Sequence, residues 1–209
     1  MGHAESQPHY YTIEEYLSLE KIDDMRHEFF EGEIFAMAGG TSMHNDLVQN
    51  FVLALRPKLR GSACRLKVET MRLAVRPPHF YTYPDMMVSC HADDQSAKQQ
   101  YQHPVLIAEV LSPSTEAYDR GVKFNQYKQL PSLRHYLLVS QQIWLVEWFR
   151  KNEHGGWDYT VLAEADDALA IPELGVTLTL TEVYAETGIV PMRVSPAPAA
   201  ETHPSLSEG

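Results

Sequence analysis

The residues with most chemical promise are acids set in apolar surroundings. Glu109 interrupts the run Val105-Leu106-Ile107-Ala108-Glu109-Val110-Leu111, which otherwise reads as a central strand buried on both faces. A lone carboxylate inside a sheet is costly unless something pairs with it. Glu109 is therefore either a strand-end acid satisfied by an arginine or by solvent, or a metal ligand or general base on a rigid strand. Asp85 opens a second apolar stretch, placed by Pro84 in Tyr83-Pro84-Asp85, where turn chemistry is the plain alternative. Two hard oxygen ligands on neighbouring strands, with waters completing the sphere, suit Mg²⁺ or Mn²⁺. Downstream, Asp119, Lys123 and Tyr127 follow one another at helical i, i+4, i+8 spacing and share one face. That face is either a solvated salt-bridge stripe or a surface that brings Lys123 over the carboxylates. There its ammonium could orient a water or steady charge on a phosphate. The chain carries no G-x-x-x-x-G-K and no G-x-S-x-G, and Gly39-Gly40 alone is too weak for a dinucleotide fingerprint.

These residues must be held by elements, and the pattern predicts them in order. Thr12-Ile13-Glu14-Glu15 is a capping-box start for a short helix reaching Leu19. Apolar stretches either side of Glu31-Gly32 predict a tight hairpin. Ser42 is placed to cap a helix whose Leu47, Val48, Phe51, Val52 and Leu55 fall on one side, with Pro57 loosening its end. Alternation at Leu66, Val68, Met71, Leu73 and Val75 predicts half-buried strands, with a turn at Pro77-Pro78 and a further strand from Tyr83 to Val88. Residues 91–102 read as a polar surface loop. A helix is expected from Glu116 to Gln129, then a buried strand at Tyr136–Val139 and a hairpin of Ile143–Phe149 with Trp157–Ala163. Val176–Leu180 reads as a late strand and Thr181–Glu186 as a short helix.

The set Pro84-Asp85, Glu109-Val110-Leu111-Ser112-Pro113-Ser114-Thr115 and Asp119-Arg120-Gly121-x-Lys123-x-x-x-Tyr127 closely resembles the Uma2 family (DUF820). Glu28-x-x-Glu31-Gly32-Glu33 and the helix near His44 are similar to that family's N-terminal half, so the resemblance spans roughly residues 10–190. It implies an α/β (α+β) restriction-endonuclease-like fold, a mixed β-sheet flanked by helices, here with an additional C-terminal β-hairpin. It also implies a PD-(D/E)xK site: Asp85 and Glu109 holding Mg²⁺ or Mn²⁺, and hydrolysis of phosphodiester bonds in DNA, with double-stranded DNA as the expected substrate. The motif's lysine position, two residues after the second acid, is Leu111 here, and Lys123 on the following helix takes its place. Asp85, Glu109 and Lys123 are thus the expected catalytic set. Glu28, Glu31, His44, Ser112 and Tyr127 are the expected supporting residues. The alternative is a catalytically inactive protein on the same fold, serving as a DNA- or protein-binding accessory. Cutting both strands needs two sites, so a homodimer is conceivable, with Trp144, Trp148 and Trp157 offering apolar surface.

Composition narrows the setting. The 209 residues carry a formal net charge of −11, which disfavours indiscriminate binding to a polyanion. The basic residues are concentrated in two segments. One holds Arg56, Lys58, Arg60, Arg65, Lys67, Arg72 and Arg76 with the single acid Glu69; the other holds Arg120, Lys123, Lys128 and Arg134 with none. Both border the acidic pair in sequence, and Arg72 and Arg120 are candidates for substrate binding. No apolar run approaches the ~20 residues that span a bilayer, and the N-terminus lacks the pattern of a secretory signal. The chain is therefore expected to be cytoplasmic, with Cys64 and Cys90 as buried free thiols. Residues 1–190 read as a single domain, and the Pro-, Ala- and Ser-rich stretch 191–209 as a disordered tail.

Overall fold

The computed structural model describes residues 9–37 and 39–191. Helix α1 (Ile13–Ile22) begins with the anticipated capping box: the Thr12 hydroxyl accepts from Glu15 N–H and the Glu15 carboxylate accepts from Thr12 N–H. Strands β1 (His27–Phe30) and β2 (Glu33–Ala36) form a hairpin turned by Glu31 and Gly32, at φ 48° and 91°. Positive φ at both central residues matches the right-handed twist of the flanking strands. Helix α2 (Ser42–Lys58) buries Leu47, Val48, Phe51 and Leu55. Its cap is Thr41, not Ser42 as the sequence suggested: the Thr41 hydroxyl accepts from His44 N–H at 3.1 Å.

Three strands build the middle of the chain, β3 (Arg65–Val68), β4 (Arg72–Arg76) and β5 (Phe80–Thr82), and β6 (Met86–Ser89) follows Asp85. The polar stretch 91–102, read as a loop, instead contains a short helix α3 (Ala92–Ser96) and a two-residue strand β7 (Gln100–Tyr101). What organises it is the buried carboxylate of Asp94, which accepts backbone N–H groups from Gln102 and His103, both at 2.9 Å. Strand β8 (Pro104–Leu111) is the predicted central strand. The expected helix after it is broken into α4 (Glu116–Tyr118), a π-helical turn (Asp119–Lys123) and α5 (Phe124–Tyr127). Beyond lie β9 (His135–Ser140), β10 (Val146–Lys151), β11 (Trp157–Leu162), β12 (Ala168–Ile171), β13 (Val176–Thr179) and helix α6 (Leu180–Val183).

The strands assemble into a six-stranded sheet in the order β11-β10-β9-β8-β6-β3, a five-stranded sheet β2-β1-β5-β4-β7, and the small ribbon β12-β13. Within the large sheet only β8 and β9 are parallel, so the sheet is mixed. The hairpin β10-β11 closes one edge of it, as expected of the C-terminal addition. Side chains alternate between two cores. Leu106, Ala108, Val110, Leu137 and Val139 face α2, α6 and the β12-β13 ribbon, while Ile107, Leu111, Tyr136 and Leu138 face β4, β5 and α5. Trp148 is buried in the first of these cores, and half-buried Trp144 and Trp157 pack against the first and the second.

Cys64 and Cys90 form a disulfide, contrary to the free thiols expected. The reason is register. β3 pairs antiparallel with β6 through Arg65↔Ser89, and the next residues outward are the two cysteines. The expected tail lies outside the described residues except for Pro191, which bridges to Trp144.

Candidate active site

Strand register creates the site. β6 pairs with β8 through Met87↔Ile107 and Met86↔Ala108, and the same register carried one residue back sets Asp85 beside Glu109. Each acid is then fastened to the backbone of the other's segment. Asp85 N–H donates to Glu109 Oε2 at 3.1 Å, and Val110 N–H donates to Asp85 Oδ2 at 2.7 Å. Glu109 shares the face of Ile107 and Leu111, which points toward the π turn and α5. It is 2% exposed.

The widened turn brings Lys123 and Tyr127 onto this carboxylate. Lys123 Nζ lies 3.3 Å from Glu109 Oε1, and the Tyr127 hydroxyl donates to the same oxygen at 2.8 Å. Lys123 is shared, standing 3.1 Å from Glu28 Oε1 and 3.2 Å from Asp119 Oδ1 as well. Glu28 reaches it from β1 and is held by the Thr82 hydroxyl. On the open side, His44 Nε2 lies 3.1 Å from Asp85 Oδ2, and its Nδ1 lies 3.9 Å from Glu69 Oε1. Of the expected supporting residues, Glu28, His44 and Tyr127 are therefore gathered here.

Others are placed elsewhere. Glu31 sits in the hairpin turn and pairs with Arg76 and His79. Ser112 binds the backbone N–H and hydroxyl of Thr115 and the hydroxyl of Ser114, shaping the start of α4. Arg120 is engaged by Glu116 and Glu147. Arg72 lies over the Tyr16 and Tyr81 rings at 5.8 and 5.7 Å. Two acids outside the expected site set also join the cluster: Asp119, which the sequence places on one face with Lys123, and Glu69, the lone acid of the first basic segment.

The electrostatics follow from four carboxylates (Glu28, Asp85, Glu109 and Asp119) meeting one ammonium and one imidazole. Burial pushes the Glu109 carboxyl up; Lys123 pulls it back, Asp85 and Asp119 add to the rise, and the balance is upward. Asp119 is raised, again by burial first. Burial alone would lower Lys123, but Glu109, Glu28 and Asp119 outweigh it and hold its pKa well above the ordinary lysine range. The hydrogen bond to Asp85 raises His44, against the pull of burial. Among the described residues Asp119 Oδ1 is buried with no hydrogen-bond partner: the lysine, at 3.2 Å, is near enough to attract it but is not aligned. An excess of buried hard oxygen ligands, one of them unsatisfied, fits a divalent cation.

The profile of the Uma2 family, described as "putative restriction endonuclease", matches residues 13–181. The Synechocystis protein slr1290, itself uncharacterised, is 35% identical over 171 residues, covering 82% of this chain and 90% of its own. A second uncharacterised Synechocystis protein, sll1609, is 34% identical over 153 residues, covering 72% of this chain and 86% of its own. Among solved structures, one described as a putative nuclease belonging to DUF820 from Anabaena variabilis superposes with a TM-score of 0.68 at 17% identity. It covers 83% of this chain and 97% of that one. That likeness speaks for the fold.

Proposed function

The chain belongs to the Uma2 family, and from that membership and the acid cluster we propose that it is a metal-dependent endonuclease hydrolysing phosphodiester bonds of DNA. The observation that carries this reading is the contact of Lys123 Nζ with Glu109 Oε1 at 3.3 Å, beside Asp85. It supplies the ammonium that Leu111 cannot. Asp85 and Glu109 would hold Mg²⁺ or Mn²⁺, which when bound polarises a phosphate and lowers the pKa of a water.

The chain's own residues set the rest. Lys123 stays protonated among its carboxylates, so it serves as a fixed positive charge toward the phosphate rather than as a base. Tyr127 and the Asp85 N–H fix the two oxygens of Glu109, and His44 orients Asp85. A homodimer would supply the second site for cutting both strands of a duplex.

The test is incubation of purified protein with plasmid and Mg²⁺ or Mn²⁺. Nicking is expected, and Asp85→Ala or Glu109→Ala should reduce it by roughly a hundredfold or more. No nicking in either metal, or full activity in Asp85→Ala, would overturn the reading. The accessory reading is favoured by one observation: both Glu109 oxygens are already engaged by protein donors. Calorimetry with Mn²⁺ separates the two. Under the nuclease reading Mn²⁺ binds, and its affinity rises with pH, because burial has raised the Glu109 pKa and the carboxyl must give up a proton to become a ligand. Absence of Mn²⁺ binding would favour the accessory role.

A further inference from the structure

Strands β6 and β8 carry the two acids at one end. At their other end, two residues after β6 and one before β8, stand His91 and His103. We propose that His91, Asp93 and His103 form a second metal site, with two nitrogen donors and one oxygen, that takes an ion of the Zn²⁺ class.

One ligand atom from each residue lies within 4.8 Å of the others. The two imidazoles are in contact, ring centroids 4.0 Å apart and tilted by 34°. Imidazole nitrogens are the commonest protein ligands of such ions, and two of them face the same small space. His91 Nδ1 lies 3.7 Å from Asp93 Oδ2, so carboxylate and ring already converge. Closing this envelope to the ~2.0–2.2 Å bonds of zinc needs side-chain rotation, for which exposed His91 would exchange the 3.3 Å bond that its Nδ1 accepts from Asp93 N–H for the metal or turn its Nε2 to it. Nitrogen-rich donor sets favour Zn²⁺ and its neighbours over Mg²⁺, whereas the all-oxygen pair at the other end favours the reverse.

The backbone behind the three residues is built to hold them. Asp94 is 3% exposed and accepts from His103 N–H at 2.9 Å. The Ser89 hydroxyl lies 2.6 Å from Asp94 Oδ2 and accepts from His91 N–H at 3.3 Å. One buried carboxylate and one hydroxyl therefore tie together the backbones of both histidines, and the Cys64–Cys90 disulfide anchors the residue preceding His91. A buried charge spent on a short polar segment makes sense when that segment must hold a fixed geometry. A bound ion would clamp the ends of β6 and β8 remote from the acids.

The test is calorimetric titration of untagged, metal-free, full-length protein with ZnCl₂. One saturable equivalent is expected in the wild type and in the Asp85→Ala/Glu109→Ala double variant, weakened at least tenfold in His91→Ala, His103→Ala and Asp93→Asn. Excess Zn²⁺ should raise the wild-type melting temperature by roughly 5 °C and leave His103→Ala unmoved. Asp93 is an exposed side chain, so its variant reports on binding without disturbing the fold. Zn²⁺ uptake unchanged in the His91→Ala/His103→Ala double variant, no saturable uptake at all, or loss of uptake in an acid double variant that keeps the wild-type circular-dichroism spectrum would each overturn the proposal. Because the acid double variant is read separately, failure here leaves the nuclease reading standing, and failure of that reading leaves this one.

Discussion

Lys123 is a single ammonium divided among three buried carboxylates, Glu28, Glu109 and Asp119. Removing one partner of such a group is far more damaging than removing both. Lys123→Met should therefore destabilise the protein by about 3–5 kcal/mol, and Lys123→Met/Glu109→Gln by clearly less than the sum of the single variants. Urea midpoints at constant m-value check this, and strict additivity would show that the lysine is not what holds the cluster. At this scale much was legible, because an acid within an apolar strand has few places to go, and both Asp85 and Glu109 stood out that way. The early acids were harder. Glu28 and Glu31 differ by three positions, which on a strand of period two sends them to opposite faces. The intervening turn then removes Glu31 altogether, leaving it to Arg76 and His79. Asp119 looked like one member of a charged stripe, since nothing in its own neighbourhood shows that the stripe would be covered.

At the scale of elements, β9 and β10 are joined by a side-chain chain that no pattern announces. Trp148 Nε1–H donates to His135 Nδ1 at 3.1 Å, and His135 Nε2 faces Glu173 Oε2 at 2.7 Å. An indole N–H only donates, so Nδ1 must stay unprotonated and the ring neutral. Burial lowers the His135 pKa in the same direction, although Glu173 opposes it. The folded pKa therefore lies below the unfolded value of about 6.5. The associated stability is present above that value and is lost as pH falls through the folded pKa. Trp148→Phe removes the donor facing Nδ1, so the folded His135 pKa should rise toward the unfolded value and the loss on acidification should shrink, while some stability at neutral pH is given up. Urea midpoints taken between about pH 7 and pH 5 would show it, and an unchanged acid limb would count against it. Elements written in hydrophobic periodicity (α1, α2, β8, β9) were legible in the sequence. The π turn was not, because a shift from i, i+4 to i, i+5 hydrogen bonding leaves no mark on an apolar pattern. Nor were α3 and β7, whose order comes from the hydrogen bonds of Asp94 rather than from apolar burial.

At the scale of the molecule, the charge of −11 is offset along one edge. Strand β3 borders the large sheet, carries Arg65 and Lys67, and leads to Glu69 beside His44. Arg56, Arg60, Arg65 and Lys67 line one shallow cleft there. The second basic segment is different, since Arg120 and Lys123 are consumed by internal acids, which a one-dimensional charge count could not reveal. If β3 guides a phosphate backbone to the acids, Arg65→Ala/Lys67→Ala should weaken binding to any DNA sequence. The salt dependence should then fall by about 0.9 in log–log slope for each phosphate that the variant no longer neutralises. Fluorescence anisotropy across a salt series measures it, and an unaltered slope would move the track elsewhere. The same edge is tied down by Cys64–Cys90, and the ring of chain so closed contains the exposed turn at Pro77–His79. A backbone cut in that turn would divide the chain into a piece bearing Glu28 and His44 and a piece bearing both strand acids. Yet the two would remain one covalent molecule. Nicked protein would keep its whole pocket on a single particle and reveal the break only when a thiol let the halves part.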